Sequence, residues 1–142
     1  MNVIQLTVFI ENKVGRVLSL TESLAENHIN LMSVCVADTS EYGLVRLIVD
    51  KPEAARECLK EKGFSVRRTE IIAVELQNVP GSLNKVIRTV ADAGLSIEYM
   101  YSFFGELSGM CYAAMKFGDI EAAEAALREA GFNILSQEEL GS

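Results

Sequence analysis

Runs of apolar residues alternate along this chain with stretches in which apolar positions recur every three or four residues. The runs predict strands at 3–10, 31–37, 44–49 and 64–68, and again at 71–76, 97–104, 110–117 and 133–136. The periodic stretches predict helices at 15–27, between residues 50 and 63, at 81–93 and at 119–130. The order strand, helix, strand, strand, helix, strand therefore occurs twice.

Residues that favour turns and caps mark the ends of these elements. Asp50 is expected to cap the helix that follows it, and Pro52 to occupy the first turn, where its missing N–H group is not needed. Gly63 is expected to end that helix. The turn predicted at 38–43 joins the strands on either side of it into a hairpin.

The two halves also share residue identities. Five positions recur 66 residues later, and a second block recurs with a separation of 68. A duplicated unit of this length exceeds the roughly 20 to 50 residues of a solenoid repeat, so each copy is expected to be a small domain. The identities are Val8, Asn12, Gly15, Ala25 and Gly43 with Val74, Asn78, Gly81, Ala91 and Gly109, then Glu53, Ala54, Ala55, Leu59, Glu61, Gly63 and Phe64 with Glu121, Ala122, Ala123, Leu127, Glu129, Gly131 and Phe132.

This element order predicts an α+β fold of two ferredoxin-like βαββαβ sandwiches, each with four antiparallel strands and two helices on one face. We expect domain boundaries at 1–68 and 69–142. In such a sheet the strands at 31–37 and 97–104 lie at an edge, yet both are apolar on both faces. Because an uncovered apolar edge invites aggregation, we expect the sheets to pair side by side.

Composition narrows the classes of function. The net charge of −7 disfavours nucleic-acid binding, which needs clustered Lys and Arg. The first residues have neither the basic flank of a signal peptide nor an apolar run that spans a membrane, so we expect a cytoplasmic protein.

The single His28 has no ligand partner at a metal-binding spacing, so neither a metal nor another cofactor is predicted. We expect Cys35, Cys58 and Cys111 to be buried free thiols.

Candidate chemistry lies in a motif that both copies carry between the first strand and the first helix. Asn12 and Gly15 have the same spacing as Asn78 and Gly81. Glycine brings a ligand close to the free N–H groups of the helix start, where the helix dipole favours a carboxylate. The Asn amide offers a donor and an acceptor beside it. The alternative is that Asn and Gly only build the turn.

A second amide supports the binding interpretation. Asn30 opens the strand after the first helix, and Ser96 occupies its place in the second copy. Strand propensity does not account for an Asn at this position. Arg16 follows Gly15 and would attract an anion, although surface charge is an alternative explanation.

These stretches resemble the ACT domain, whose pattern is roughly Asn-x-Pro-Gly-x-Leu followed, fifteen residues after the Gly, by Asn-Ile. Val14 stands at the Pro position in the first copy and Ser96 at the second Asn position in the second copy. The residues that carry the resemblance are Asn12, Val14, Gly15, Val17, Leu20, Leu24, Ala25, Ile29, Asn30 and Leu31, then Asn78, Pro80, Gly81, Leu83, Val86, Val90, Ala91, Leu95, Ser96 and Ile97.

The resemblance implies a tandem ACT protein that binds a small effector, most often an amino acid, between two ACT units. The contacts it implies come from the loop, the helix start and the strand opening. The predicted ligand-binding residues are Asn12, Val14, Gly15, Arg16, Val17 and Asn30 in the first copy, and Asn78, Val79, Pro80, Gly81, Ser82, Leu83 and Ser96 in the second.

Geometry also favours an interface. Asn12 and Asn30 stand at opposite ends of a predicted helix of about 13 residues, or roughly 20 Å at 1.5 Å per residue. One amino acid cannot touch both. A two-fold arrangement would bring the strand opening of one unit to the loop of another. If the two units belong to one chain, we expect Asn78 to act with Asn30, and Asn12 with Ser96.

The partners expected are an amino acid and a second copy of the chain. A rival function is a regulatory subunit that docks on a separate biosynthetic enzyme. Catalysis on this fold would need an anion-binding loop with an Arg and a positioned base, and no such base is identified, so we do not expect an enzyme.

Overall fold

The computed structural model describes residues 1–11, 13–38, 42–105 and 110–140. The first copy forms β1 (Ile4–Glu11), α1 (Arg16–Glu26), β2 (Leu31–Asp38), β3 (Tyr42–Val49), α2 (Pro52–Glu61) and β4 (Ser65–Glu70). The second forms β5 (Ile72–Gln77), α3 (Ser82–Asp92), β6 (Ile97–Phe104), β7 (Met110–Phe117), α4 (Ile120–Glu129), β8 (Ile134–Leu135) and α5 (Gln137–Leu140).

Two four-stranded sheets confirm the predicted fold. Their strand orders are β2-β3-β1-β4 and β6-β7-β5-β8, so β2 and β6 lie at edges as expected. Most predicted elements end within two residues of the observed ones. Two features differ more from the prediction: β8 has only two residues, and the sequence did not predict the short helix α5. The turn expected at 38–43 lies largely outside the described residues.

The chain divides into two compact units. We call Ile4–Thr69, together with Leu140, the first sandwich, and Glu70–Glu139, together with Met1–Val3, the second sandwich. The first three residues hold to the second unit through backbone hydrogen bonds. The N–H groups of Ile71 and Gln137 donate to the carbonyls of Val3 and Met1 at 3.0 and 2.9 Å.

Each sandwich buries its own apolar core between one sheet face and two helices. In the first, Val8 and Leu47 of the sheet meet Leu20 of α1 and Leu59 of α2, and all four are fully buried. In the second, Val74 and Met115 of the sheet pack with Val86 of α3 and Leu127 of α4. The helices lie flat on the sheet because their apolar residues recur every three or four positions.

The predicted cap of α2 is wrong. The N-terminal capping position is Lys51, and no side chain caps the helix there. The carboxylate of Asp50 instead accepts a hydrogen bond from the backbone N–H of Asn30 at 2.9 Å. A carboxylate at the end of β3 is close enough to the start of β2 for this bond because the two strands are paired neighbours.

The three cysteines differ in burial. All are free, but only Cys58 is buried, while Cys35 and Cys111 are partly exposed. The expectation of three buried thiols is therefore wrong for two of them, which lie on strands β2 and β7. Burial raises the pKa of the Cys58 thiol, so this thiol stays neutral near pH 7.

The core of the first sandwich makes a testable prediction about α1. Leu20→Ala removes a fully buried side chain and should lower the free energy of unfolding by about 2 to 5 kcal/mol. Leu18→Ala, on the same helix, is the matched control because Leu18 is 60% exposed. Urea unfolding followed by circular dichroism should show a change of only about 0.5 kcal/mol for this control. Equal effects of the two substitutions would contradict the assignment of the buried face.

Candidate functional site

The loop before the first helix has the same backbone conformation in both sandwiches. Gly15 and Gly81 stand at the N-terminal capping positions of α1 and α3, with φ of 88° in each and ψ of −6° and −7°. This left-handed region favours glycine, and it lets the chain reverse from strand into helix. The N–H groups of Arg16 and Ser82 then donate to the carbonyls of the residues three positions earlier, each at 3.3 Å.

The first turns of α1 and α3 keep backbone donors that no side chain caps. Neither helix has a side-chain hydrogen bond at its start among the described residues. In α3 the N–H groups of Leu83 and Asn84 precede the first internal bond, which Lys85 donates to Gly81 at 3.1 Å. Unused N–H groups at a helix start attract anions, and the helix dipole adds to the effect.

The loop of the first sandwich carries an ion pair. The ammonium of Lys13 lies 2.8 Å from the carboxylate of Glu11, and both side chains are exposed. The hydrogen bond that Lys13 donates lowers the pKa of the Glu11 carboxyl, and its charge does so further. Asn12, a predicted ligand contact, lies outside the described residues. The equivalent Asn78 is exposed.

The predicted residues of the two loops and of the first helical turns are accessible to a ligand. Val14, Val17, Val79 and Leu83 are exposed apolar side chains. Pro80 and Gly81 are also exposed. An apolar surface around free backbone donors suits a ligand that combines a carboxylate with an apolar part.

The two strand openings differ in chemistry. In the first sandwich the carboxylate of Asp50 bonds the N–H of Asn30, and the N–H of Asp50 donates to the carbonyl of Asn30 at 3.2 Å. In the second sandwich Ser96 and Gly118 stand at these places, so this carboxylate is missing. The sequence prediction missed Asp50 because it assigned that side chain to the helix cap. The contrast with Gly118 was the available clue.

Arg16 and Ser82 also differ although they occupy equivalent positions. The guanidinium carbon of Arg16 lies 4.4 Å from the centroid of the Phe64 ring, so the side chain stacks on a buried aromatic of its own sandwich. Ser82 lacks such a group. Arg16 therefore has a structural role besides its predicted place in the ligand site.

The predicted residues of one sandwich do not form one site. Loop residues and strand opening lie at opposite ends of α1 or α3, and each helix has 11 residues. At 1.5 Å per residue this separates them by about 16 Å, which is beyond the reach of one amino acid. The predicted pairs of Asn78 with Asn30, and of Asn12 with Ser96, stay predictions.

The family model for the ACT domain pair matches residues 1–139. The chain belongs to the ACT domain pair family. A crystal structure of a protein from Bacteroides thetaiotaomicron has 34% sequence identity and a TM-score of 0.92, over 100% of this chain and 97% of that one. No curated protein matches the sequence.

Two more distant structures share the fold of this ACT pair. The regulatory subunit of aspartate kinase from Thermus thermophilus is 22% identical with a TM-score of 0.67, over 92% of this chain and 91% of that one. The equivalent subunit from Thermus flavus is 20% identical with a TM-score of 0.63, over 92% and 93%.

Across the described ranges, no helix has the length and apolar character needed to span a membrane.

The left-handed glycine of the second loop makes a prediction. Gly81→Ala should lower the free energy of unfolding by about 1 to 2 kcal/mol, because a side chain disfavours this backbone conformation although nothing lies within 4 Å of the added carbon. Gly118→Ala is the control, since that position is equally open and its φ lies outside the left-handed region. Thermal and urea unfolding should show no destabilisation for the control. If both variants unfold alike, the conformation of Gly81 does not constrain the loop.

Proposed function

We propose that this ACT domain pair is a regulatory protein that binds an amino acid where two ACT units meet. The observation that carries the proposal is the pair of matching loops, in which a left-handed glycine leaves the first backbone donors of a helix without a side-chain cap. Family membership supports a small-molecule regulatory role.

The carboxylate of the ligand is assigned to the helix start. The N–H groups of Leu83 and Asn84 point out of the first turn of α3, and the positive end of the helix dipole lies there. The Asn78 amide oxygen then accepts a hydrogen bond from the ligand ammonium. Exposed Val79 offers an apolar surface to the ligand side chain.

The ammonium group needs a second partner, and the strand opening of the first sandwich supplies one. Asn30 brings an amide oxygen, and Asp50 brings a negative charge fixed by its bond to the Asn30 backbone. A charge-assisted hydrogen bond is roughly twice as strong as a neutral one. Because one unit cannot present both a loop and a strand opening to the same amino acid, two units are required.

This chemistry predicts that the two pseudo-equivalent sites are unequal. The combination of the Asn78 loop with the Asn30 opening includes the Asp50 carboxylate, whereas the combination of the Asn12 loop with Ser96 does not. We expect the first combination to bind more tightly. The two units belong to one chain or to two chains of a homodimer, and either arrangement satisfies the proposal.

A screen of the twenty amino acids by thermal shift, followed by calorimetric titration, tests the function. A ligand at 100 times its dissociation constant stabilises the folded state by about 2.7 kcal/mol. Asn78→Ala should weaken binding at least tenfold, because it removes an ammonium contact of the tighter site. Ser96→Ala is the matched control and should leave that affinity unchanged. The proposal fails if no amino acid binds, or if Ser96→Ala weakens binding as much as Asn78→Ala.

A second candidate is a regulatory subunit that acts on a separate biosynthetic enzyme. The edge strand β2 of the first sandwich exposes Val34 and Val36, at 52% and 57%, and such an apolar edge suits a protein partner. The two Thermus structures are named as subunits of a kinase. Affinity capture from native extract, with this protein as bait, should then recover one amino-acid biosynthetic enzyme. The Val34→Lys variant should fail to capture it. Tight ligand binding without a captured enzyme would favour a stand-alone sensor.

A further inference from the structure

The second sandwich contains a cavity that the duplication itself helps to interpret. It measures about 300 Å³ and lies between the end of β5, the start of α3 and the turn that leads into β8. This volume is at the lower end of the roughly 300 to 1,000 Å³ of small-molecule sites. Its lining residues are Glu75, Leu76, Gln77, Ser82, Lys85, Gly131, Phe132 and Asn133.

The equivalent place in the first sandwich holds an arginine side chain. By the repeat, Ser82 corresponds to Arg16 and Phe132 to Phe64. The guanidinium of Arg16 lies over the Phe64 ring, with 4.4 Å between the guanidinium carbon and the ring centroid. Phe64 is only 4% exposed, whereas Phe132, with serine in place of the arginine, is half-buried.

The cavity therefore contains the ring of Phe132 without an arginine side chain of the protein stacked on it. The face of a phenylalanine ring attracts a planar cation, and a guanidinium stacks on it well. The serine hydroxyl and the Asn133 amide add hydrogen-bonding groups at the rim. In the first sandwich a guanidinium lies beside the equivalent turn and helix start, and the backbone angles of Gly15 there match those of Gly81.

A second charge shapes the choice of ligand. Lys85 lines the cavity, stands one turn into α3 and is exposed. Its ammonium has no ion-pair partner within the described ranges, while its counterpart in the first sandwich is the neutral Ser19. Glu75 also lines the cavity, so the lining carries one negative and one positive side chain, and Lys85 would weaken the binding of a ligand that has only a cation. A ligand with a carboxylate at its other end would be held by it.

We propose that this cavity binds a guanidino carboxylic acid of the size of free arginine, with its guanidinium on Phe132 and its carboxylate at Lys85. The site lies within one sandwich, whereas the amino-acid site proposed above lies between two ACT units. Ser82 belongs to both lining sets, but Phe132 and Lys85 belong only to the cavity.

Calorimetric titration of the full chain with L-arginine tests this site. One arginine should bind per chain, while citrulline, its neutral isostere, should bind at least tenfold more weakly. Phe132→Leu keeps an apolar side chain and should weaken arginine binding at least tenfold. Proton NMR of the ligand should show its δ-methylene signals shifted upfield by the ring, and this shift should vanish in Phe132→Leu.

Ser82→Arg is a second variant, and it tests the site while leaving Phe132 in place. It should fill the cavity with the side chain that the first sandwich already uses, and so exclude free arginine. Lys85→Gln should bring the affinities of arginine and agmatine, which lacks the carboxylate, to within about threefold, a free-energy difference of about 0.7 kcal/mol.

Asn78→Ala separates this site from the proposed amino-acid site. Arginine binding that survives Asn78→Ala and is lost in Phe132→Leu supports the cavity, whatever the fate of the other site. Arginine binding lost in Asn78→Ala but retained in Phe132→Leu overturns the proposal, as does equal binding of arginine and citrulline or no binding of arginine at millimolar concentration.

Discussion

The left-handed backbone of Gly15 and Gly81 is the constraint on which the proposed function depends. At each of these residues a strand turns into a helix, and the residue has no side chain with which to cap the helix it starts. The donors of the first turn therefore stay exposed beside a loop of apolar residues. The core beneath holds this arrangement, because Leu20 and Val86 fix the helices to their sheets.

Duplication preserved the fold and let the two copies diverge in chemistry. Asp50 charges the strand opening of the first sandwich, and Gly118 leaves the second without that charge. Arg16 covers the aromatic of the first sandwich, and Ser82 exposes that of the second. Both differences are single side chains on a conserved backbone. Copies of one sandwich thus present different side chains at equivalent places without a change of architecture.

The sequence predicted the architecture because each element has a strong local pattern. The helix at α1 follows from the spacing of Leu20 and Leu24, and its start from Gly15. The ends were harder to place where tertiary bonds compete with local ones. Asp50 is a good helix cap by residue type, but the paired strands β2 and β3 bring the Asn30 N–H within its reach. Likewise, the sequence predicted that the first strand starts at residue 3, but β1 starts at Ile4. Met1–Val3 belong instead to the second sandwich, because Met1 and Val3 accept hydrogen bonds from residues far along the chain.

The candidate site was predictable only in part. The Asn and Gly residues are predicted as ligand contacts from their repetition and from the ACT resemblance, which are both visible in the sequence, and this role stays a prediction. Asp50 and the stacking of Arg16 on Phe64 depend on contacts between distant residues. No periodicity indicates such contacts. The cavity beside Phe132 is not visible in the sequence, because it depends on how the fold places Phe132 next to the start of α3.

Backbone amide NMR tests the central claim most directly. The protein labelled with nitrogen-15 is titrated with the amino acid that raises its melting temperature most. The account predicts that the largest shifts fall at Gly81, Ser82 and Leu83 and, at the same ligand concentration, at Asn30 and Asp50. Shifts confined to either one of these two groups, or to neither, would contradict a ligand held between the loop of one ACT unit and the strand opening of another.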